Sequence, residues 1–175
     1  MKTKFLYLSV LLSFLIVSCD VLDRLLTFEV HDQTTFSINT GLPFNSPFDV
    51  PTPDVTTNSS AEFNNNNTNA NLVKDVKLKQ LKLTITNPSD KTFSFLKAIH
   101  IYISTDGSDE IELAYLDNIN VVTNTINLTC TSAKLDKYIK ADSYKLRVQV
   151  TTKETLMQKV DVQSDMTFKV TADPL

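Results

Sequence analysis

Few side chains in this sequence carry reactive chemistry: two cysteines and two histidines among 175 residues, and no tryptophan. Cys19 closes an apolar run and stands directly behind the small Ser18, where an accessible thiol can act as a nucleophile. Cys130 lies in the alternating stretch Thr125-Ile126-Asn127-Leu128-Thr129-Cys130 with no glycine-rich elbow or paired histidine beside it, and reads as a small buried hydrophobe. His31 and His100 are each isolated in sequence, whereas a metal centre wants several convergent ligands. Asp106-Gly107-Ser108-Asp109-Glu110 is oxygen-rich enough for loose calcium chelation but lacks the ligand rhythm of a calcium loop, so it reads as a solvated turn. Glu110 and Glu112 share one strand face and read as a solvated stripe rather than an acid–base pair. No phosphate-cradling loop, nucleophile elbow or dinucleotide fingerprint is present. No catalytic residue, metal or cofactor is therefore expected.

The N-terminus holds the most specific pattern. Lys2 and Lys4 precede Phe5 to Val17, almost wholly apolar, as in a secretory signal. A spanning helix needs about 20 apolar residues, and Asp20, Asp23 and Arg24 interrupt this one too soon. Ile16-Val17-Ser18-Cys19 resembles the lipobox of bacterial lipoproteins, with a branched residue at −3, a small one at −1 and the cysteine at +1. The resemblance implies cleavage between Ser18 and Cys19, a thioether lipid on Cys19, and acylation (palmitate or similar) of its freed amine. Residues 1–18 are then a signal peptide and 19–26 a lipidated cysteine with a short tether. The partner so implied is a membrane, through Cys19. Abundant Asn, Lys and Thr with few Gly resemble Bacteroidetes-type lipoproteins, which implies the outer membrane of the cell envelope, on its periplasmic or its surface face. Asp20 alone points toward inner-membrane retention in some Gram-negative bacteria, a rule that need not hold for the Bacteroidetes type.

The signal holds two of the 17 basic residues and none of the 20 acidic ones, so the mature chain is more acidic than the −3 of the whole. That excludes the basic footprint of a nucleic-acid binder. With Cys19 lipidated, Cys130 has no disulfide partner and the core must carry stability unaided.

The remainder alternates with period two. Strands are expected over 27–39, 74–86, 100–104 paired with 110–115, 143–152 and 158–171. In 74–86 the apolar set changes parity between Leu78 and Leu81, which predicts a β-bulge near Lys79-Gln80. Pro43, Pro47, Pro51 and Pro53 make 41–55 an edge or irregular segment. Asn58 to Asn71 reads as a polar surface excursion with room for one helical turn, which a capping-box spacing at Ser59 to Glu62 would start. Ala133 to Lys140 suits a short helix. The fold expected for 27–175 is a single all-β domain: an immunoglobulin- or fibronectin-like antiparallel sandwich of roughly seven or eight strands with one short helix. Leu81-Lys82-Leu83-Thr84-Ile85-Thr86-Asn87-Pro88-Ser89, with Leu135 and Tyr144-Lys145-Leu146-Arg147-Val148 later, resembles the water-stress/late-embryogenesis-abundant domain, which implies the same sandwich and no particular activity. Tyr102, Tyr115, Tyr138 and Tyr144 fit the core pattern. The functional expectation is a non-enzymatic interaction or structural module in the envelope, with a protein or glycan partner. The alternative is a ligand-binding lipoprotein holding glycan or lipid, and an envelope enzyme stands third.

Overall fold

Alternation of β-branched and aromatic residues with polar ones gives each strand one buried and one wet side. The fold follows from pairing the buried sides. The computed structural model describes residues 26–173; the signal, Ser18, Cys19 and most of the tether lie outside the described residues. Among the described residues ten strands form: β1 (Thr27–Ile38), β2 (Pro47–Val50), β3 (Val55–Thr56), β4 (Val73–Asn87), β5 (Leu96–Ser104), β6 (Ile111–Leu116), β7 (Thr125–Asn127), β8 (Thr129–Cys130), β9 (Ser143–Thr152) and β10 (Val160–Ala172). Two short α-helices accompany them among the described residues, α1 (Ser59–Asn65) and α2 (Asp136–Ile139).

The strands make two antiparallel sheets packed as a sandwich. Sheet A runs β1-β10-β4-β7; sheet B runs β2-β9-β5-β6-β8, with β3 pairing the other end of β9. β7 and β8 are separated only by Leu128, so the chain closes one side of the sandwich by stepping from one sheet to the other. The opposite side is flanked by β1 and by β2 with β3. The core lies between the sheets and includes Val30, Leu81, Leu83, Phe95, Ile101 and Phe168, each fully buried.

The parity change in β4 is resolved as expected. Thr167 faces Gln80 and Phe168 faces Leu78, so Lys79 is the extra residue of a bulge. That one insertion lets Val76 and Leu78 share the buried face with Leu81, Leu83 and Ile85. The proline-rich segment forms the edge of sheet B, where a missing N–H costs least. The strand count exceeds the seven or eight expected because β3, β7 and β8 are two or three residues each. These are too short for alternation to be visible.

One short helix and a single helical turn were expected, and among the described residues two short α-helices form at those places. α1 arises inside the asparagine-rich excursion, where Phe63 is buried and meets the edge of Phe28, ring centroids 6.1 Å apart. Packing rather than propensity holds this helix, as is usual for short ones. The capping-box reading is corrected: Asn58 precedes the helix with no side-chain cap bond, and the Ser59 hydroxyl is buried.

Candidate functional site

The outward faces of β2, β9, β5 and β6 carry a connected group of aromatic and charged side chains. Arg147 on β9 stands across from Tyr102 on β5, and Gln149 across from both His100 and Asp49. The Arg147 guanidinium lies 4.0 Å from the Tyr102 ring centroid. It donates from Nε to Glu110 at 2.9 Å and from Nη2 to the other oxygen at 2.7 Å, the fork geometry suited to a carboxylate. Its Nη1 donates to Asp49 at 2.9 Å, and Gln149 donates to the same carboxylate at 3.1 Å. These bonds, Glu110 first, raise the Arg147 pKa and keep its charge in place.

The row continues across the sheet. The Tyr102 and His100 rings are nearly parallel with centroids 6.5 Å apart, and His100 and Tyr115 likewise at 5.9 Å. His100 sits between two carboxylates, Nδ1 at 2.7 Å from Glu112 and Nε2 at 3.3 Å from Asp117. Guanidinium, phenol, imidazole and phenol thus stand side by side. The rings are turned face to face, and all three residues are half-buried. Among the described residues neither the Tyr102 nor the Tyr115 hydroxyl has a hydrogen-bond partner inside the protein. The arrangement offers donors and acceptors at fixed spacing on a rigid sheet, with carboxylates outnumbering cations.

Tyr102 and Tyr115 were expected in the core, and that expectation is corrected. Tyr102 lies on the outward parity of β5, between inward Ile101 and Ile103. Tyr115 is turned outward by a second bulge: Ile101 faces Ala114 and Tyr102 faces Glu112, so Leu113 is the extra residue. Leu113 and Ala114 are both buried, and Glu112 and Tyr115 reach one face although their numbering differs in parity. Bulges often re-aim a side chain in this way. His100, expected to be alone, is central to this group. Glu110 and Glu112 do share the wet face, each engaged with a cation or imidazole.

The other sequence candidates stay apart. His31 lies on the outward face of β1, its Nδ1 3.2 Å from the Thr167 hydroxyl. In the Asp106–Glu110 turn, Gly107 takes φ +86° and Asp106 accepts from Ser108. Asp109 accepts from Thr105 and from Lys137 at 2.6 Å, and the Lys137 contact is the main reason its pKa falls well below the usual range. Asp106 is thus occupied within the turn, and Asp109 by Thr105 and by Lys137 of α2. Cys130 is half-buried against the core, and burial raises its pKa. Among the described residues no three of His, Cys, Asp and Glu converge as metal ligands.

Inside the sandwich, Asp32 and Tyr144 form a polar pair. The Tyr144 hydroxyl donates to Asp32 at 2.9 Å, and the Asn58 backbone N–H donates to the same carboxylate. Burial raises the Asp32 pKa and outweighs both bonds. The unfolded chain therefore ionises Asp32 at lower pH than the folded one does. The contribution of Asp32 to stability is greatest below the ordinary value of 3.8, falls as pH rises from there through the folded pKa, and stays lower beyond it. Asp32→Asn keeps an acceptor for both donors without the charge. It is expected to raise Tm at pH 7 relative to the parent, with the difference closing as pH falls below 3.8. Thermal unfolding of both proteins across that range checks this.

No family model matches the chain, and no curated protein matches it. Solved structures that are similar include a capsid protein from the acidic stable capsid of Helicobacter pylori bacteriophage KHP30, 8% identical with a TM-score of 0.38, covering 85% of this chain and 99% of that one. The decameric BFDV capsid protein is 10% identical with a TM-score of 0.40, covering 82% and 96%. A carbohydrate-binding module of the β-sandwich superfamily is 14% identical with a TM-score of 0.27, covering 86% and 57%. These likenesses say nothing of what this chain binds.

Proposed function

We propose that this chain is a lipid-anchored, non-enzymatic binding protein of the bacterial outer membrane, and that the outward face of sheet B takes a hydroxyl-rich ligand of the glycan class. The lipobox-like Ile16-Val17-Ser18-Cys19 supports the anchor. From Cys19 to Thr27 the chain spans at most ~30 Å, which keeps the sandwich close to the lipid surface.

The observation that carries the ligand reading is the row Arg147–Tyr102–His100–Tyr115, edged by Asp49, Glu110, Glu112 and Asp117. Carboxylates and guanidinium, already held by their neighbours, accept from and donate to hydroxyls without being reorganised, and the two free phenol hydroxyls add both functions. The excess of carboxylates favours neutral or amino sugars over acidic ones.

Tyr102→Phe with Tyr115→Phe removes the two hydroxyls and leaves the rings stacked. On a panel of neutral, amino and acidic oligosaccharides, the parent is expected to bind neutral or amino members. The double variant is expected to lose about tenfold or more in affinity with Tm unchanged. Equal binding by parent and variant, or binding of acidic members alone, contradicts the reading.

A further inference from the structure

The sandwich has two flanks, and they are defended differently. Unpaired strand edges invite pairing with other chains, and proteins blunt them with short strands, prolines, lysines, bulges or covering segments. On the closed flank, β4 is covered along its length: Ile85 N–H bonds Asn124, Leu128 N–H bonds Leu81, and Leu135 N–H bonds Val76. β8, at the edge of sheet B there, is two residues long. On the open flank, β2 and β3 are short and interrupted by Pro47, Pro51 and Pro53.

β1 has none of these protections. Its twelve residues pair with β10 in one unbroken register and contain no proline, lysine or arginine. Among the described residues, no backbone group of residues 28–38 bonds to any segment other than β10. Its inward charge, Asp32, is held by Tyr144 and Asn58 inside the sandwich and does not guard the edge.

Beside the far end of this edge lies a cleft of about 190 Å³, lined by Ser37, Asn39, Leu42, Phe48, Val50 and Pro51. It is smaller than the ~300–1,000 Å³ of a small-molecule site. It exceeds the ~150 Å³ of a cavity that takes one benzene. Phe48 at its wall is 41% exposed. A strand laid along β1 would direct alternate side chains toward the interior, over this cleft.

We propose that the free edge of β1 takes up an extended segment of a partner polypeptide as an added strand, with one apolar side chain seated in the cleft. The main chain supplies the ladder and the cleft supplies selectivity, as in other strand-addition complexes. A row of unpaired N–H and C=O groups at strand spacing matches another extended chain and little else. A second copy of this chain is disfavoured on the lipid-anchor reading. Copies rooted in one membrane send β1 away from it in the same direction, whereas a two-fold dimer joined edge to edge pairs its strands antiparallel.

A displayed library of random short peptides, panned on the protein in detergent, tests this. Enriched peptides are expected to alternate and to carry one large apolar residue. A bound peptide should slow amide exchange by at least about tenfold at every second residue of 28–38. Phe48→Ala, at a partly exposed position, should weaken binding about tenfold or more, while Tyr102→Phe with Tyr115→Phe leaves it unchanged. Absence of enrichment overturns the proposal, as does protection falling elsewhere than β1. So does self-association of the protein that already protects the β1 amides.

Discussion

Cys19→Ala is expected to move the protein from the membrane fraction to the soluble fraction. Each buried methylene of an acyl chain is worth about 0.8 kcal/mol; one myristoyl chain binds reversibly, and stable anchoring takes a second signal. A thioether lipid with an acylated amine supplies more than one chain, and removing the thiol removes the site on which both depend. Among the described residues no helix is long and apolar enough to cross a membrane. Fractionation after a high-salt wash reads the outcome directly. A variant that stays with the membrane although residues 1–18 have been removed contradicts the lipobox reading, since neither the signal nor an acyl chain on Cys19 would then be holding it.

Phe168→Ala is expected to have the largest effect on folding. Phe168 lies on β10, the strand between β1 and β4, with Val30 on one side and Leu78 on the other in register. It is fully buried and meets the edge of Tyr144 from the opposite sheet, centroids 6.4 Å apart. Emptying such a site costs about 3–5 kcal/mol, a large share of the ~5–15 kcal/mol that holds a domain together. Tm should fall by roughly ten degrees or more. Thr167→Ala, one residue away on the wet face, should change stability by about 0.5 kcal/mol or less. Similar losses for both variants would contradict the assignment of faces on β10.

The fold was legible wherever alternation ran long enough. β1, β4, β9 and β10 are written in period two, and the prolines of 41–55 announced an edge strand. The bulge at Lys79 could be read because the apolar residues before and after it differ in parity. The bulge at Leu113 could not. In Ile111-Glu112-Leu113-Ala114-Tyr115, buried Leu and Ala are adjacent, and a tyrosine two places beyond a leucine looks like core. That single insertion hid Tyr115 from the outward face. His100 looked isolated because its neighbours there come from β6 and β9, far along the chain and joined only by register. At α1 only a helical turn was legible: the asparagines that follow have poor helix propensity, and the packing of Phe63 on Phe28 that extends it leaves no local signal. The lipobox-like Ile16-Val17-Ser18-Cys19, by contrast, is legible only in sequence, and lies outside the described residues.

The binding claim is tested most directly by titrating the isotopically labelled protein with neutral and amino oligosaccharides while following backbone amide shifts. Shifts clustered at Asp49, His100, Tyr102, Glu112, Tyr115 and Arg147, with the outward residues of β1, β4 and β10 unmoved, are the predicted result. Shifts confined to sheet A or to the cleft beside Phe48, or none with any sugar at millimolar concentration, would contradict it.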